Sequence, residues 1–313
     1  RPQKAAPSPL GIKLSPAEAF HLLASQSMQL WQANLLGTLT SPDPEFVHQF
    51  RVSLRRLNSL IKVFKPALPG RYHTHWTQRI KALSQITGDV RDLDVMRASI
   101  VAPMLQSDDA QILSHAKAAL AVLDDARQEA VAQLGQLHYG GPVLLFARDL
   151  QDLDTGDFPK NLPRFAEKQL ADLHRNALKR LTKTLKAPTP ARAHRFRIAL
   201  KHLRYSCEFF APLFDNTEMV EYAKAVAGLQ DAFGFINDLH VALSRLHDWV
   251  AQQAIAKESR DAVAAWHTPQ AQAVLAEALH LAESVMSRCQ PWCTECERRG
   301  LTAIRRRMQH DIK

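Results

Sequence analysis

Apolar residues recur along this chain every three or four positions, which is the spacing of one face of an α-helix. No segment alternates apolar and polar residues between turn signals as a strand does. Start and stop signals bound the apolar stripes, for example Ser15 before Pro16. The pattern predicts an all-α protein. The predicted helices cover about 16–36, 45–65, 72–101 with a bend near Gly88, 107–137, 142–151, 162–186, 191–211, 216–250, 258–266, 269–289 and 296–309.

One segment of the chain occurs twice. The residues at 47–57 return, with conservative changes, at 193–203, and the offset of 146 positions then holds without a gap to Val95 and Val241. Such a constant offset indicates a duplicated supersecondary unit. We therefore expect two pseudo-symmetric, antiparallel, four-helix-bundle-like halves, at about 14–151 and 160–309 within one domain at 14–313. The proline-rich residues 1–13 are interpreted as a linker.

Each copy of the repeat carries a row of basic side chains on a face different from its apolar stripe. The first row is His48, Arg51, Arg55 and Lys62, with Arg56 alongside, and the second is His194, Arg197, Lys201 and Arg204. At 1.5 Å per residue the first row spans about 20 Å, and the planar fork of arginine suits phosphate oxygens. A solvated face is the alternative reading, although the rows lack the interleaved Glu of a salt-bridged surface. Both histidines could equally serve as helix-start residues.

The composition narrows the possible partners. A net charge of +9 and a pI near 9.5 favour a polyanion: nucleic acid, polyphosphate or an acidic membrane surface. No apolar run is long enough to span a bilayer, and no aromatic residues interleave the basic rows as stacking platforms for single-stranded nucleic acid. The sequence lacks clustered carboxylates and a nucleophile–base pair, so we expect no enzyme activity. Four cysteines do not make a disulfide scaffold and fit a reducing cytoplasm.

Four motifs in order resemble the CHAD domain family. They are His48-x-x-Arg51-Val52-x-x-Arg55-Arg56-Leu57, Gly88-Asp89-Val90-Arg91-Asp92-Leu93-Asp94-Val95, His194-x-x-Arg197-Ile198-x-x-Lys201-x-Leu203-Arg204-Tyr205, and Leu229-Gln230-Asp231-Ala232-Phe233-Gly234 continuing to Asp238-Leu239. The resemblance implies paired four-helix bundles that enclose a basic groove or pore and bind inorganic polyphosphate, without catalysis, cofactor or metal. The implied binding residues, with further basic contacts, are His48, Arg51, Arg55, Arg56, Lys62, Lys81, Arg91, His194, Arg197, Lys201, His202, Arg204 and Lys224.

The two copies differ at several of these positions. Asn58 stands where the first motif often has Arg, His202 lies opposite Arg56, and Glu208 lies opposite Lys62. We therefore expect the halves to bind unequally. If His48 and His194 face the ligand and gain a proton, binding should tighten as the pH falls below about 6.5.

The start of the chain resembles the junction of proteins that fuse a CYTH triphosphatase domain to a CHAD domain. The Glu-x-Glu-x-Lys motif of CYTH domains has no match here, so a CYTH triphosphatase is expected only as a fused or associated partner. The alternative functions are a helical nucleic-acid-binding protein and an accessory domain of a triphosphatase. The expected location is the cytoplasm, with polyphosphate granules as a narrower alternative.

Three further signals favour ordinary explanations. The spacing Cys289-x3-Cys293-x2-Cys296 offers three ligands where structural zinc normally has four, so thiols without a metal are the simpler interpretation. The run 305–307 of three arginines is explained as well by a solvated terminal helix as by a nucleic-acid patch. Asp92, Asp94 and Asp238 are interpreted as cap or ion-pair residues.

Overall fold

The computed structural model describes residues 1–135, 140–214, 216–288 and 290–293, and these residues form helices and connecting turns with no strand. The prediction of an all-α protein is confirmed. A π-helical turn at 96–101 and short 3₁₀ turns at 102–106 and 211–213 supplement the α-helices. The α-helices are α1 Pro16–Thr40, α2 Pro44–Val63, α3 Gly70–Ile86, α4 Gly88–Val95, α5 Ala110–Gly135, α6 Gly140–Gln151, α7 Leu162–Lys186, α8 Pro190–Phe210, α9 Asn216–Ala251 and α10 Lys257–Met286.

Local capping chemistry sets the helix starts. Ser15 and Glu18 form the capping box that the sequence predicts: the Ser15 hydroxyl accepts from the Glu18 N–H at 3.3 Å, and the Ser15 N–H donates to the Glu18 carboxylate at 2.7 Å. At the starts of α2, α7 and α8 the N-cap side chain likewise accepts a backbone N–H, and each of these helices has a proline in its first turn. The first and last residues of α7 lie 146 positions after those of α1, and the first residue of α8 lies 146 positions after that of α2. A spatial superposition of the two halves stays a prediction.

Two predicted interruptions of helices have different outcomes. The segment 72–101 is interrupted near Gly88 as predicted, since it is divided at Thr87 into α3 and α4, which the π-helical turn follows. By contrast, the predicted break near Pro269 is wrong, because α10 continues through that residue. Proline in a helix interior is normally costly, but tertiary contacts hold this stretch: a ring nitrogen of buried His267 lies 2.7 Å from the Ile100 carbonyl oxygen. The predicted helix 296–309 lies outside the described residues.

The buried side chains form two clusters, and both draw on residues from either side of the midpoint of the chain. The larger cluster joins α1, α2 and α3 to α7, α8 and the first half of α9, and its rings include Phe64 and Phe210, whose centroids are 6.1 Å apart. The smaller cluster joins α4, the turns after it and α5 to the end of α9 and the start of α10. The two sequence halves therefore share their cores and do not fold around separate ones.

The first thirteen residues carry no helix, as expected of a linker, but they are tied to the helical body. The Ser8 hydroxyl donates to the Phe209 carbonyl oxygen at 2.7 Å, and the Gln3 N–H donates to the Asn34 side chain at 2.9 Å. Leu10 is buried in the larger cluster. Among the described residues, no helix combines the length and the apolar character needed to cross a bilayer.

Candidate functional site

The two repeat helices, α2 and α8, pack directly on each other. The guanidinium of Arg56 lies 2.5 Å from the Glu208 carboxylate, and the Ser59 hydroxyl lies 3.0 Å from Nδ1 of His202. Beside this contact, residues of α2, α3, α4, α8 and α9 line a cavity of about 700 Å³. That volume falls within the usual range for ligand sites.

The structure brings nine of the thirteen sequence-predicted site residues to the wall of this cavity. They come from both copies of the repeat and from the helices that follow each copy: His48, Arg51, Arg55, Lys62, Lys81, Arg91, His194, Arg197 and Lys201. Residues three or four positions apart share a face of a helix, which explains why these basic residues of α2 and α8 reach the same wall. The cavity is thus lined by the basic rows that the sequence indicated.

Positive charge dominates the cavity wall. Seven Arg and Lys side chains line it, against three carboxylates, Asp92, Asp231 and Asp238. None of the seven forms an ion pair with any residue in the described part of the chain. In that same part, the buried Nε–H groups of Arg51, Arg55 and Arg197 have no hydrogen-bond acceptor. Buried donors are normally satisfied, so an anion with several acceptor oxygens is the chemical complement of this wall.

Arg51 and Arg197 occupy equivalent positions, each beside a glycine of its own half. A Cβ atom on Gly88 would lie 3.7 Å from Nη1 of Arg51, and one on Gly234 would lie 3.8 Å from Nε of Arg197. The Arg51 guanidinium is further held by the Ser84 carbonyl and by the Thr87 hydroxyl, the latter at 3.2 Å. Both guanidinium groups therefore lie within van der Waals reach of the helix that follows the repeat, at equivalent positions in the two halves.

Crowding and burial shift the acid–base equilibria of the wall. Burial, reinforced by the positive charges of Arg197, Arg55, Arg51 and Lys62, lowers the pKa of Lys201 to about 7. Burial also lowers the pKa of Arg51 to about 10, where it stays protonated at neutral pH. The pKa of Lys201 falls this far because, besides its burial, the wall holds several positive charges and too little negative charge to offset them.

His48 differs from the sequence expectation of a histidine that gains a proton below about pH 6.5. Burial, aided by Arg91 and Arg55, lowers the pKa of His48 to about 4, so the free protein does not protonate it near pH 6.5. His194 is exposed, and its Nδ1 lies 2.7 Å from Oδ1 of Asn237.

Four predicted residues do not line the cavity. Arg56 is buried, pairs with Glu208 and lies over the rings of Tyr205 and Phe209, at 5.8 and 5.1 Å from the ring centroids. Arg204 shares Glu208 at 3.0 Å. The remaining two are His202 and Lys224.

His202 is a hydrogen-bonding neighbour of the cavity wall. Its Nε2 lies 3.3 Å from Nζ of Lys62, and burial together with Lys62 and Lys201 lowers its pKa to about 3, so the ring is neutral. A neutral ring nitrogen can accept a hydrogen bond from the Lys62 ammonium. Lys224 is exposed on α9 and stands apart from the cavity wall.

Sequence reasoning missed several wall residues. The polar ones are Asn58, Thr77, Ser84, Asp92, Gln230, Asp231, Asn237 and Asp238. Of the three aspartates interpreted as cap or ion-pair residues, Asp94 does form an ion pair, with Arg127 at 2.6 Å. Asp92 and Asp238 instead face the cavity, and burial raises the pKa of Asp92. Their recurrence at the offset of 146 was the signal that could have placed them there.

Of the other signals in the sequence, only Cys293 lies among the described residues. It is buried, and its thiol donates to the Gln290 side chain at 3.0 Å. Cys289, Cys296 and the arginines at 305–307 lie outside the described residues, so the interpretation of both motifs stays a prediction.

Comparison with known proteins identifies the class. The family model of the CHAD domain matches residues 23–247. The structure is similar to the crystal structure of the CHAD domain from the plant Ricinus communis, with a TM-score of 0.78 and 28% identity over 93% of this chain and 98% of that chain. It is also similar to PptA from Streptomyces chartreusis, with a TM-score of 0.61 over 88% of this chain and 100% of that chain. At 15% identity this second likeness shows the fold alone. A search of curated proteins gives no significant match.

The family match covers well over half of the chain, and the chain therefore belongs to the CHAD domain family. The resemblance seen in its repeated motifs is confirmed.

Proposed function

We propose that the protein binds inorganic polyphosphate, without catalysis, in the cavity lined by α2, α3, α4, α8 and α9. The observation that carries the proposal is the set of seven Arg and Lys side chains that both repeats contribute to one wall and that have no ion pair within the described part of the chain. Polyphosphate supplies closely spaced oxygen acceptors along a flexible chain, which match the three buried Nε–H donors. Polyphosphate binding is also what the resemblance to the family implies. Such a module would bring its protein to polyphosphate in the cytoplasm, or hold the polymer for an attached triphosphatase domain.

Nucleic acid is the competing ligand. Apart from histidines, Phe235 is the one aromatic side chain among the residues that line the cavity, and its ring packs against His267 at 6.1 Å between centroids. Stacking platforms for bases are therefore missing from the wall, while the charge that both polymers require is present. The proposal accordingly favours a polyanion without bases.

A competition experiment tests the choice of ligand. Labelled long-chain polyphosphate, bound to the protein, is displaced by unlabelled polyphosphate, single-stranded DNA or duplex DNA at matched phosphate concentration across a salt series. We expect polyphosphate to compete best and binding to weaken steeply with salt. Phosphate release from the bound polymer, measured with Mg²⁺ present, should stay at the level of a protein-free blank. Equal or tighter binding of single-stranded DNA would contradict the proposal.

Substitutions test the shared wall. Arg51→Ala and Arg197→Ala should each weaken polyphosphate binding by about 1–3 kcal/mol, the usual contribution of a charge-assisted hydrogen bond. The matched control is Arg175→Ala, which removes an arginine whose surface ion pair with Asp172 lies on α7, outside the cavity wall. If only one of the two cavity variants loses affinity, the halves do not share one ligand.

A further inference from the structure

The basic row of α2 continues past the cavity wall at one end of the helix. Arg51, Arg55, Asn58 and Lys62 follow the helical period along the wall, and Lys62 lies in the last turn of α2. Lys65 follows at the next such position, on the turn that closes the helix, where its N–H donates to the Lys62 carbonyl oxygen at 3.3 Å. The side chains of Lys62 and Lys65 are both exposed, so the row carries its charge out of the cavity towards solvent.

The facing helix continues in the same direction. On α3, Thr77, Ile80 and Ser84 contribute to the cavity wall, and His73 precedes Thr77 by one turn on the same stripe. Because α3 packs on α2 after the short connection 64–69, His73 in its first turn lies near the end of α2.

The electrostatics agree with this placement. Burial, followed by the positive charges of Lys65 and Lys62, lowers the pKa of His73. Three basic side chains thus stand together at one mouth of the cavity. No carboxylate in the described part of the chain forms an ion pair with Lys62 or Lys65.

The second repeat has no such extension. At the offset of 146 the counterparts of Lys62, Lys65 and His73 are Glu208, Ala211 and Met219. Glu208 is engaged by the guanidinium groups of Arg56 and Arg204, and Met219 is buried. The basic row therefore extends beyond the cavity in the first copy of the repeat. In the second copy the equivalent positions carry no positive charge.

We propose that Lys62, Lys65 and His73 form an outer subsite that holds the part of a long polyphosphate chain extending beyond the cavity. The inference rests on the proposed function and adds a specificity for chain length. A short chain satisfies the buried arginines without reaching the outer subsite, whereas a long chain contacts both. The lysines supply charge, and the imidazole of His73 supplies an N–H donor in either protonation state.

The test compares the variant Lys65→Ala/His73→Ala with wild type over a series of polyphosphate lengths, beginning with the shortest chain that wild type binds. The matched control is Lys117→Ala/His75→Ala, which removes the same residue types at exposed positions. His75 lies on α3 as well, but it is about 200° around the helix from His73. Dissociation constants are measured by calorimetric titration at one fixed salt concentration.

The ratio of the variant's Kd to the wild-type Kd should rise with chain length, from about one for the shortest chain to roughly three- to tenfold for long chains. The control should give a ratio near one throughout. A ratio of one at every length, or the same loss at every length, overturns the outer subsite. Failure of wild type to bind any polyphosphate would instead overturn the proposed function, so the two failures are distinguishable.

Discussion

Lys201 is held in the cavity at a cost to folding, and its replacement by methionine should make the protein more stable. The side chain stands among Arg51, Arg55 and Arg197, and burial with these charges lowers its pKa from an ordinary 10.5 to about 7. Methionine keeps most of the length of the side chain and removes the charge. We therefore expect Lys201→Met to raise the melting temperature of the free protein.

The lowered pKa of Lys201 gives both the sign and the magnitude of the change in stability expected for Lys201→Met. Because the native pKa lies below the unfolded one, the unfolded chain binds more protons between pH 7 and pH 10.5. The cost is therefore present in full below pH 7 and disappears as the pH rises to 10.5. At about 1.4 kcal/mol per pH unit, it amounts to on the order of 4 kcal/mol at pH 7 as an upper bound. Allowing for imperfect packing of methionine, we expect a gain of about 2–3 kcal/mol, or roughly 3–5 °C for a chain of this length.

The assay is thermal unfolding followed by circular dichroism between pH 6 and pH 10, without polyphosphate. Lys183→Met is the matched control, since Lys183 is exposed in the last turn of α7. The difference between Lys201→Met and wild type should be largest at pH 6–7 and shrink towards pH 10, while the control should show no comparable trend. A variant that is less stable than wild type, or a gain that does not depend on pH, would refute the reasoning that Lys201 is a desolvated cation.

Two further predictions separate binding residues from structural ones and follow the proton of Lys201. Arg56→Ala should lower the free energy of unfolding by about 1–3 kcal/mol, because it removes a buried side chain with its ion pair to Glu208 and its contacts with neighbouring rings, while Arg204 still pairs with Glu208. The same variant should leave the Kd for long-chain polyphosphate unchanged in calorimetry, and a loss of affinity without a loss of stability would place Arg56 in the binding site instead. Polyphosphate should raise the pKa of Lys201, so titrations at pH 8 in buffers of different ionisation enthalpy should show proton uptake by wild type and less by Lys201→Met. Equal uptake by both proteins would assign the proton to another group.

Much of the secondary structure could be read from local sequence. The capping box of Ser15 and Glu18 and the start of α8 at Pro190 involve residues only a few positions apart, and the apolar period of each helix is equally local. The repeat added the relation between the two copies, and it placed Arg51 and Arg197 at equivalent positions. The wrong break at Pro269 shows the limit of such local rules: the contact that supports α10 there comes from Ile100, far away in the chain.

The candidate site likewise has some features that the sequence determines and others that depend on the packing of separate helices. The sequence by itself determined which side chains share a helical face, because 3.6 residues per turn separates Arg55 from the apolar stripe whatever packs against the helix. It did not determine that the adjacent Arg56 turns to Glu208, which lies 152 positions further along the chain. Whether a basic side chain faces a ligand or an internal carboxylate depends on the neighbouring helix, so only the tertiary structure decided it. The lowered pKa of Lys201 and the joining of Lys65 to His73 at one mouth have the same origin, since burial and charge proximity arise only when separate helices pack together.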